Sequence, residues 1–268
     1  MKVSDFITEF LLKKDITQCF SVTGGFAMHL NDSFGEKLDV VYTHGEQPAG
    51  YAALGWSSHE HNPSVCCVTS GCGATNAMTP CLIAYQDSVP IFFISGQVHR
   101  DHNIRNHGGK IRGYFGSDCD IVECVKGITK HAVELTDPKD TLKVLQECYH
   151  NLITGRLGPV WLSIPVDVQS MLVPDRLEEW VAPQEIHVTT LPEEFHDVWS
   201  KCKRPIILAG NGIHLSKTKN KFHEFINTHE VPYVVSFFGS DLGDDYIGKV
   251  GIIGNRSGNF AIQNADLV

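Results

Sequence analysis

The sequence predicts an α/β protein: a doubly wound, mostly parallel sheet with helices on both faces, followed by part of a second α/β domain. Three observations predict it. β-branched and aromatic runs alternate with segments of helical period along the chain. Ile91-Phe92-Phe93-Ile94 and Val160-Trp161-Leu162 are continuously apolar, as strands covered on both faces are. Glycine-rich turns sit where strand patterns hand over to helix patterns, as at Thr23-Gly24-Gly25 and Ser70-Gly71-Cys72-Gly73.

In order, Val3, Phe6, Ile7, Phe10, Leu11 and Leu12 recur at helical spacing, with Ser4-Asp5 as the cap. Phe20 to Val22 reads as a short strand and Phe26 to Phe34 as a short helix. Leu38 to Thr43 reads as a second, buried strand. Ser64 to Thr69 is the third. After Ile91 to Ser95, a polar loop rich in glycine and histidine covers His99 to Asp118. Ile121 to Leu135 carries a helix and then a strand, Thr141 to Thr154 a helix, and Gly158 to Pro165 a buried strand. The first domain is therefore expected over residues 1–168 and a linker over 169–191, where Pro174 and Pro183 fall. A partial central domain follows over 192–268: a strand from Pro205 to Ala209, a Gly210-Asn211-Gly212 turn, a helix near Lys217 to Thr228 and a strand from Val231 to Ser236. Asn259 to Val268 reads as a helix and the first residues of another strand. The expectation is that the chain is the front part of something longer, or that a partner completes it.

Composition narrows the function. A chain of 268 residues, 42% hydrophobic, can bury one large core or two ordinary ones. A net charge of −9, with no Lys/Arg cluster, argues against a nucleic-acid partner. The start lacks a signal-type apolar region, and no apolar run is long enough to span a bilayer, so no membrane partner is expected. Nine cysteines form an odd set without a Cys-x-x-Cys pair. Reduced thiols of a cytosolic protein are the expectation, with Cys66 and Cys67 in a strand and Cys124 and Cys148 among core-like neighbours. Among fourteen histidines, His99, His102 and His107 are the densest group and His59 with His61 another. Neither has a matching ligand set, so no metal site is expected and both read as solvated loop residues.

The stretch Val40 to Gly55 carries the chemistry. Pro48 suits the first turn of a helix, and Ala49, Gly50, Ala52 and Ala53 let that helix pack closely. Glu46 then stands where a strand meets a helix, the place where open α/β sheets bind ligands. Alone, it also reads as a first-turn carboxylate favoured by the helix dipole. The glycine turn at Ser70 to Ala77 has no Gly-Lys-Ser/Thr, so it is not a P-loop, nor does it have dinucleotide spacing.

Taken together, Thr23-Gly24-Gly25, His44-Gly45-Glu46-Gln47-Pro48-Ala49, Thr69 to Asn76, Tyr85 to Pro90, Ser95-Gly96-Gln97-Val98 and Gly158 to Pro165 resemble the thiamine-diphosphate-dependent enzymes, in their acetolactate-synthase-like branch. The pieces occur in that family's order over residues 1–168, and residues from Arg204 resemble the front of its middle domain. The resemblance implies a pyrimidine-binding first domain in which Glu46 hydrogen-bonds N1′ of the cofactor's aminopyrimidine. That bond favours the imino tautomer that takes the thiazolium C2 proton. A carboxyl in this role should be buried, with its pKa raised against the lowering effect of the helix N-terminus. By the same resemblance Gly24 and Gly25 match a loop beside the active centre, Thr69, Gly73 and Asn76 flank the pyrimidine, and Gln97 lies near the reacting carbon.

The resemblance further implies a 2-keto acid substrate such as pyruvate, thiamine diphosphate with Mg²⁺, and a homodimer or homotetramer with its active centre between subunits. It leaves FAD open. Three departures stand out. Ser117-Asp118-Cys119-Asp120 occupies the place of a usual Gln-Glu pair, and Cys72 that of a usual proline. No Gly-Asp-Gly with a following Asn is found to hold diphosphate and Mg²⁺; Gly239-Ser240-Asp241 and Gly243-Asp244-Asp245 read as solvated turns. This chain alone is therefore expected to be inactive, and a diphosphate-binding domain or chain is the expected partner. A simple 2-keto-acid decarboxylase, a sugar-modifying carboligase and a non-catalytic remnant that keeps only fold and subunit interface are the alternatives.

Overall fold

The computed structural model describes residues 1–108, 111–183 and 191–268. They form two compact units, Met1–Pro183 and Gln184–Val268. In the first, helices and strands alternate: α1 (Val3–Leu12), β1 (Gln18–Ser21), α2 (Met28–Lys37), β2 (Asp39–Tyr42), α3 (Glu46–Glu60), β3 (Ser64–Val68), α4 (Cys72–Asn76), α5 (Met78–Asp87) and β4 (Ile91–Gln97). α6 (Ile121–Val125), β5 (His131–Glu134), α7 (Thr141–Ile153), β6 (Val160–Pro165) and α8 (Val166–Ser170) complete it.

All six strands run parallel in the order β2-β1-β3-β4-β6-β5. The doubly wound fold expected from the sequence is what the chain adopts. Strand alternation sorts the core into two layers. Cys19, Val65, Cys67, Phe92, Ile94, Leu162 and Ile164 face one layer, with Ile7 and Leu11 of α1, Phe34 of α2 and Leu145 of α7. Phe20, Cys66, Val68, Ile91, Phe93 and Trp161 face the other, with Ala49 and Ala53 of α3 and Cys81 and Ala84 of α5. Trp161 is fully buried, stacks on Phe93 at 5.1 Å and donates to Ser95 Oγ at 3.0 Å. Gly50 explains the small residues of α3: a Cβ there would sit 2.8 Å from Pro80 Cβ.

Several expectations need correction. The strand before Glu46 is not buried: β2 is one of the sheet's two edges, and Val41 and Tyr42 are about half exposed. Apolar composition cannot separate an edge strand with an open face from an inner one. Ser4-Asp5 is not a cap either. Lys2 bridges Leu172 and Val3 N–H bonds the Met171 carbonyl, so the helix starts earlier, Ser4 is buried, and Asp5 accepts from Ser33 at 2.7 Å. Cys124 is exposed, because the five-residue α6 turns it away from the core that Cys148 enters from α7.

The first unit runs on to Pro183 because its last segment is tied back to the chain's start, the turn after β1 and α7. Gln169 bonds the Phe26 carbonyl, Val173 N–H the Met1 carbonyl, and Trp180 N–H the Gln146 side chain. Residues 184–190, the end of the expected linker, lie outside the described residues.

The second unit carries α9 (Glu193–Lys201), β7 (Ile207–Ala209), α10 (Gly212–Leu215), α11 (Lys219–His229), β8 (Tyr233–Val235) and α12 (Arg256–Asn264). β7 and β8 pair in parallel, and Leu267 bridges Pro205. The two acidic turns are not merely solvated. Asp241 takes a 2.9 Å contact from His214 Nε2, and Asp245 accepts from Tyr233 Oη at 2.5 Å. Burial and that acidic partner push the Tyr233 hydroxyl well above its ordinary pKa.

Among the described residues no helix is long and apolar enough to cross a membrane. Nor is any group of three or more His, Cys, Asp or Glu among them placed to hold a metal ion. The His107 side chain lies outside the described residues.

Candidate functional site

Strand order decides where a site can form. After β1 the chain steps outward to β2, then returns across β1 to β3, so it switches direction between β1 and β3. At such a point neighbouring turns diverge and open a crevice at the strands' carboxyl ends. Four adjacent strand ends reach this rim: Gly24-Gly25 after β1, Glu46 after β2, Thr69 to Asn76 after β3, and Gln97 at the end of β4.

The structure brings five of the expected residues into one cluster. A Cβ on Gly24 would lie 2.7 Å from Thr69 Cγ2, and one on Gly73 would meet the same methyl at 2.7 Å and Glu46 Oε1 at 3.3 Å. Asn76 Nδ2 donates to Glu46 Oε2 at 2.7 Å. Thr69 Oγ1 accepts from Phe26 N–H at 3.3 Å, holding the turn after β1 against the turn after β3. Both glycines are thus set by close approach, not by φ. Gly25 differs: it is exposed, and a Cβ there would meet nothing within 4 Å.

Glu46 opens α3, whose first-turn N–H groups favour a negative charge. It is half-buried, not fully buried as the resemblance implies, because its partner Asn76 is exposed and the cluster opens outward. Its two oxygens have different surroundings: Oε2 is held by Asn76, and Oε1 lies over Gly73. Ser70, next to Thr69, is buried, and its hydroxyl has no partner among the described residues.

Gln97 is buried and engaged elsewhere on the rim. Its Nε2 donates to the Cys119 carbonyl at 2.7 Å, and its Oε1 accepts from Val98 N–H at 2.9 Å. The geometry joins it to the segment after His99, not to the Glu46 cluster.

That segment is anchored over a half-buried acid. Glu134 of β5 accepts from Asn103 at 2.9 Å and Ser163 at 3.3 Å. Burial raises its pKa, against the pull of Asn103, Arg105 and Ser163. A raised pKa means the folded state binds the proton more tightly than the unfolded one. The stability is fully present below the ordinary glutamate value, about 4.3, and is lost as pH rises through the folded value. Urea midpoints should therefore fall over that window, and Glu134→Gln should flatten the fall. An unchanged profile would discount Glu134 as its source.

Three further residues position the rim, though sequence reasoning named none of them as a site residue. Gly96 packs on the turn after β1: a Cβ there would fall on the Phe26 carbonyl and 2.8 Å from Ala27 N. Gln169 is fully buried in α8 and donates to that same Phe26 carbonyl at 2.7 Å. Gly71 has φ +59°, and a Cβ on it would reach the Ser117 backbone, 2.7 Å from its Cα. Gly71 stood in a readable glycine turn, whereas Gln169 lies 143 residues from its partner.

Residues 1–123 match the family described as "Thiamine pyrophosphate enzyme, N-terminal TPP binding domain", and residues 193–268 match its central domain. The chain belongs to the thiamine pyrophosphate enzyme family, on its acetolactate-synthase-like side. It is 29% identical to acetolactate synthase 2, chloroplastic, of Nicotiana tabacum, over 100% of this chain and 41% of that protein. Against the acetolactate synthase isozyme 2 large subunit of Escherichia coli (strain K12) it is 26% identical, over 100% of this chain and 48% of that one. Against the acetolactate synthase large subunit of Lactococcus lactis subsp. lactis (strain IL1403) it is 28% identical, over 99% and 47%. The chain thus spans less than half the length of these curated relatives.

Proposed function

We propose that the chain supplies the pyrimidine-binding side of a thiamine-diphosphate carboligase that acts on 2-keto acids such as pyruvate. The observation that carries this reading is the division of labour on one carboxyl group: Asn76 fixes Glu46 Oε2 and leaves Oε1 over the side-chain-free Gly73. That cradle fits a flat heteroaromatic ring, because one Glu46 oxygen is anchored, the other faces the bare Gly73, and a Cβ on Gly25 of the same rim would meet nothing within 4 Å. Bound thiamine diphosphate would supply the acidic thiazolium carbon to which the keto acid adds. Glu46 would hold a proton between Oε1 and the ring's N1′, and Asn76 would keep the carboxyl in that rotamer. Thr69, through Phe26 N–H, would hold the two glycine turns at ring-binding distance.

In this reading the diphosphate and Mg²⁺ are held by a domain outside this chain, and the complete protein is a homodimer or larger, in the cytoplasm. The test is made on the complete protein, given pyruvate with and without a second keto acid. Carbon dioxide with acetolactate-type products supports carboligation. Acetaldehyde alone would place the protein with the simple decarboxylases, and failure to bind the cofactor would leave a non-catalytic remnant.

Asn76→Ala should keep cofactor binding and slow C2 proton exchange roughly tenfold, the scale of one hydrogen bond to a charged group. Exchange followed by NMR at the wild-type rate would remove Asn76 from this role.

A further inference from the structure

Away from Glu46, two free thiols face each other at the exit of the segment over the rim. The sulfurs of Cys119 and Cys124 lie 3.9 Å apart. Cys124 is exposed and Cys119 half-buried, whereas Cys19, Cys66, Cys67, Cys81 and Cys148 are buried in the core. The backbone between the pair is pinned. The Cys119 carbonyl accepts from Ile121 N–H at 2.8 Å and from Gln97 Nε2 at 2.7 Å, and Asp120 accepts from Glu123 N–H at 3.2 Å. Bonding needs a sulfur separation of about 2.05 Å, so the two side chains must close in from 3.9 Å.

We propose that Cys119 and Cys124 are a redox dithiol that a neutral hydroperoxide closes to a disulfide. Cys124, the exposed sulfur, attacks the peroxide oxygen as thiolate; its S–O bond forms as the O–O bond breaks, and hydroxide leaves. The Cys119 sulfur then attacks the Cys124 sulfenic acid, forming the S–S bond and releasing water. The net change is two thiols and one hydrogen peroxide to one disulfide and two waters.

The roles follow from burial and charge. Burial, and then the neighbouring Cys124, push the Cys119 thiol up to about 12, so it is a poor first nucleophile, and in the second step its proton leaves with the sulfenic hydroxyl as water. Asp118 and Asp120 act on Cys119, with Arg105 occupied by Asp120 at 2.6 Å, while Glu123 beside Cys124 pairs with Lys126 at 3.6 Å. This acidic surround repels the glutathione disulfide anion and leaves uncharged hydrogen peroxide as the favoured oxidant. The carbonyl of Cys119 holds Gln97, so the disulfide would form next to the rim's buried glutamine.

Trypsin leaves both cysteines in one peptide, residues 113–126. After mild hydrogen peroxide on the folded chain, alkylation and digestion, this peptide should be unalkylated and two hydrogens lighter, while Cys66 and Cys67 stay reduced. Glutathione disulfide at equal concentration should give at least tenfold less. Cys119→Ser should leave Cys124 as a sulfenic acid that dimedone captures, and Cys124→Ser should leave Cys119 unreacted. Circular dichroism confirms that each variant is folded; if one is not, the wild-type peptide decides. Separate oxidation of the two sulfurs, or a disulfide from Cys124 to Cys72, would overturn the proposal. No cofactor enters this readout, so its failure would leave the assignment of Glu46 untouched.

Discussion

Replacing Glu46 by glutamine in the complete protein should slow C2 proton exchange of bound thiamine diphosphate by about 10²–10⁴-fold, the usual worth of a positioned acid–base group. Cofactor affinity should change little. Glutamine keeps the shape, and its carbonyl can still accept from Asn76 at the 2.7 Å site. What it loses is the ability to share a proton at the second atom, the one over Gly73. Deuterium exchange at C2, read by NMR after acid quench, separates the two effects. Exchange at the wild-type rate would reject the carboxyl's role, and lost binding would show that Glu46 serves the cradle more than the proton. Asn76→Ala gives the smaller step because it loosens the rotamer without removing the carboxyl.

The second large effect is expected at Gly96, which has no chemistry at all. Gly96→Ala should cost more than about 3 kcal/mol, above the ordinary range for overpacking. The added methyl meets main-chain atoms of Phe26 and Ala27, which cannot rotate away. The Phe26 carbonyl is also held by Gln169 at 2.7 Å, so a shift breaks a buried hydrogen bond as well. Gly25→Ala is the matching control. Nothing lies within 4 Å of its added Cβ, so stability should stay within about 0.5 kcal/mol. Urea unfolding of both variants checks the pair. Equal losses would mean that Gly96 is not the point where the turn rests on the sheet. If Gly25→Ala keeps its stability yet weakens cofactor binding, the open space beside Gly25 belongs to the ligand.

Both predictions depend on contacts between turns far apart in sequence, and this explains what was legible. The first helix, the inner strands and the place of Glu46 at a strand-to-helix junction were readable, because periodicity and turn residues are local. The status of β2 was not. Val40, Val41 and Tyr42 have strand chemistry, yet whether a strand has one neighbour or two is set by the chain's route, and here it has one. Cys124 was misjudged for a related reason: its apolar neighbours Val122 and Val125 do reach the core, but on a helix of five residues the opposite side stays in solvent.

The candidate site shows the same division. Gly24, Thr69, Gly73 and Asn76 were named from a family pattern, and their proximity to Glu46 comes from the parallel sheet reversing between β1 and β3. Gln97 was named by the same pattern, but tertiary structure commits its amide to Cys119 and Val98. By itself the sequence determined the element types, the two-sided burial of the inner strands and the carboxylate at the start of α3, since each is fixed by residues within a few positions. Only the folded chain decided which strands became the edges, which oxygen of Glu46 is held and which two cysteines meet. Those depend on hydrogen bonds and packing between segments that the sheet, not the sequence order, makes neighbours.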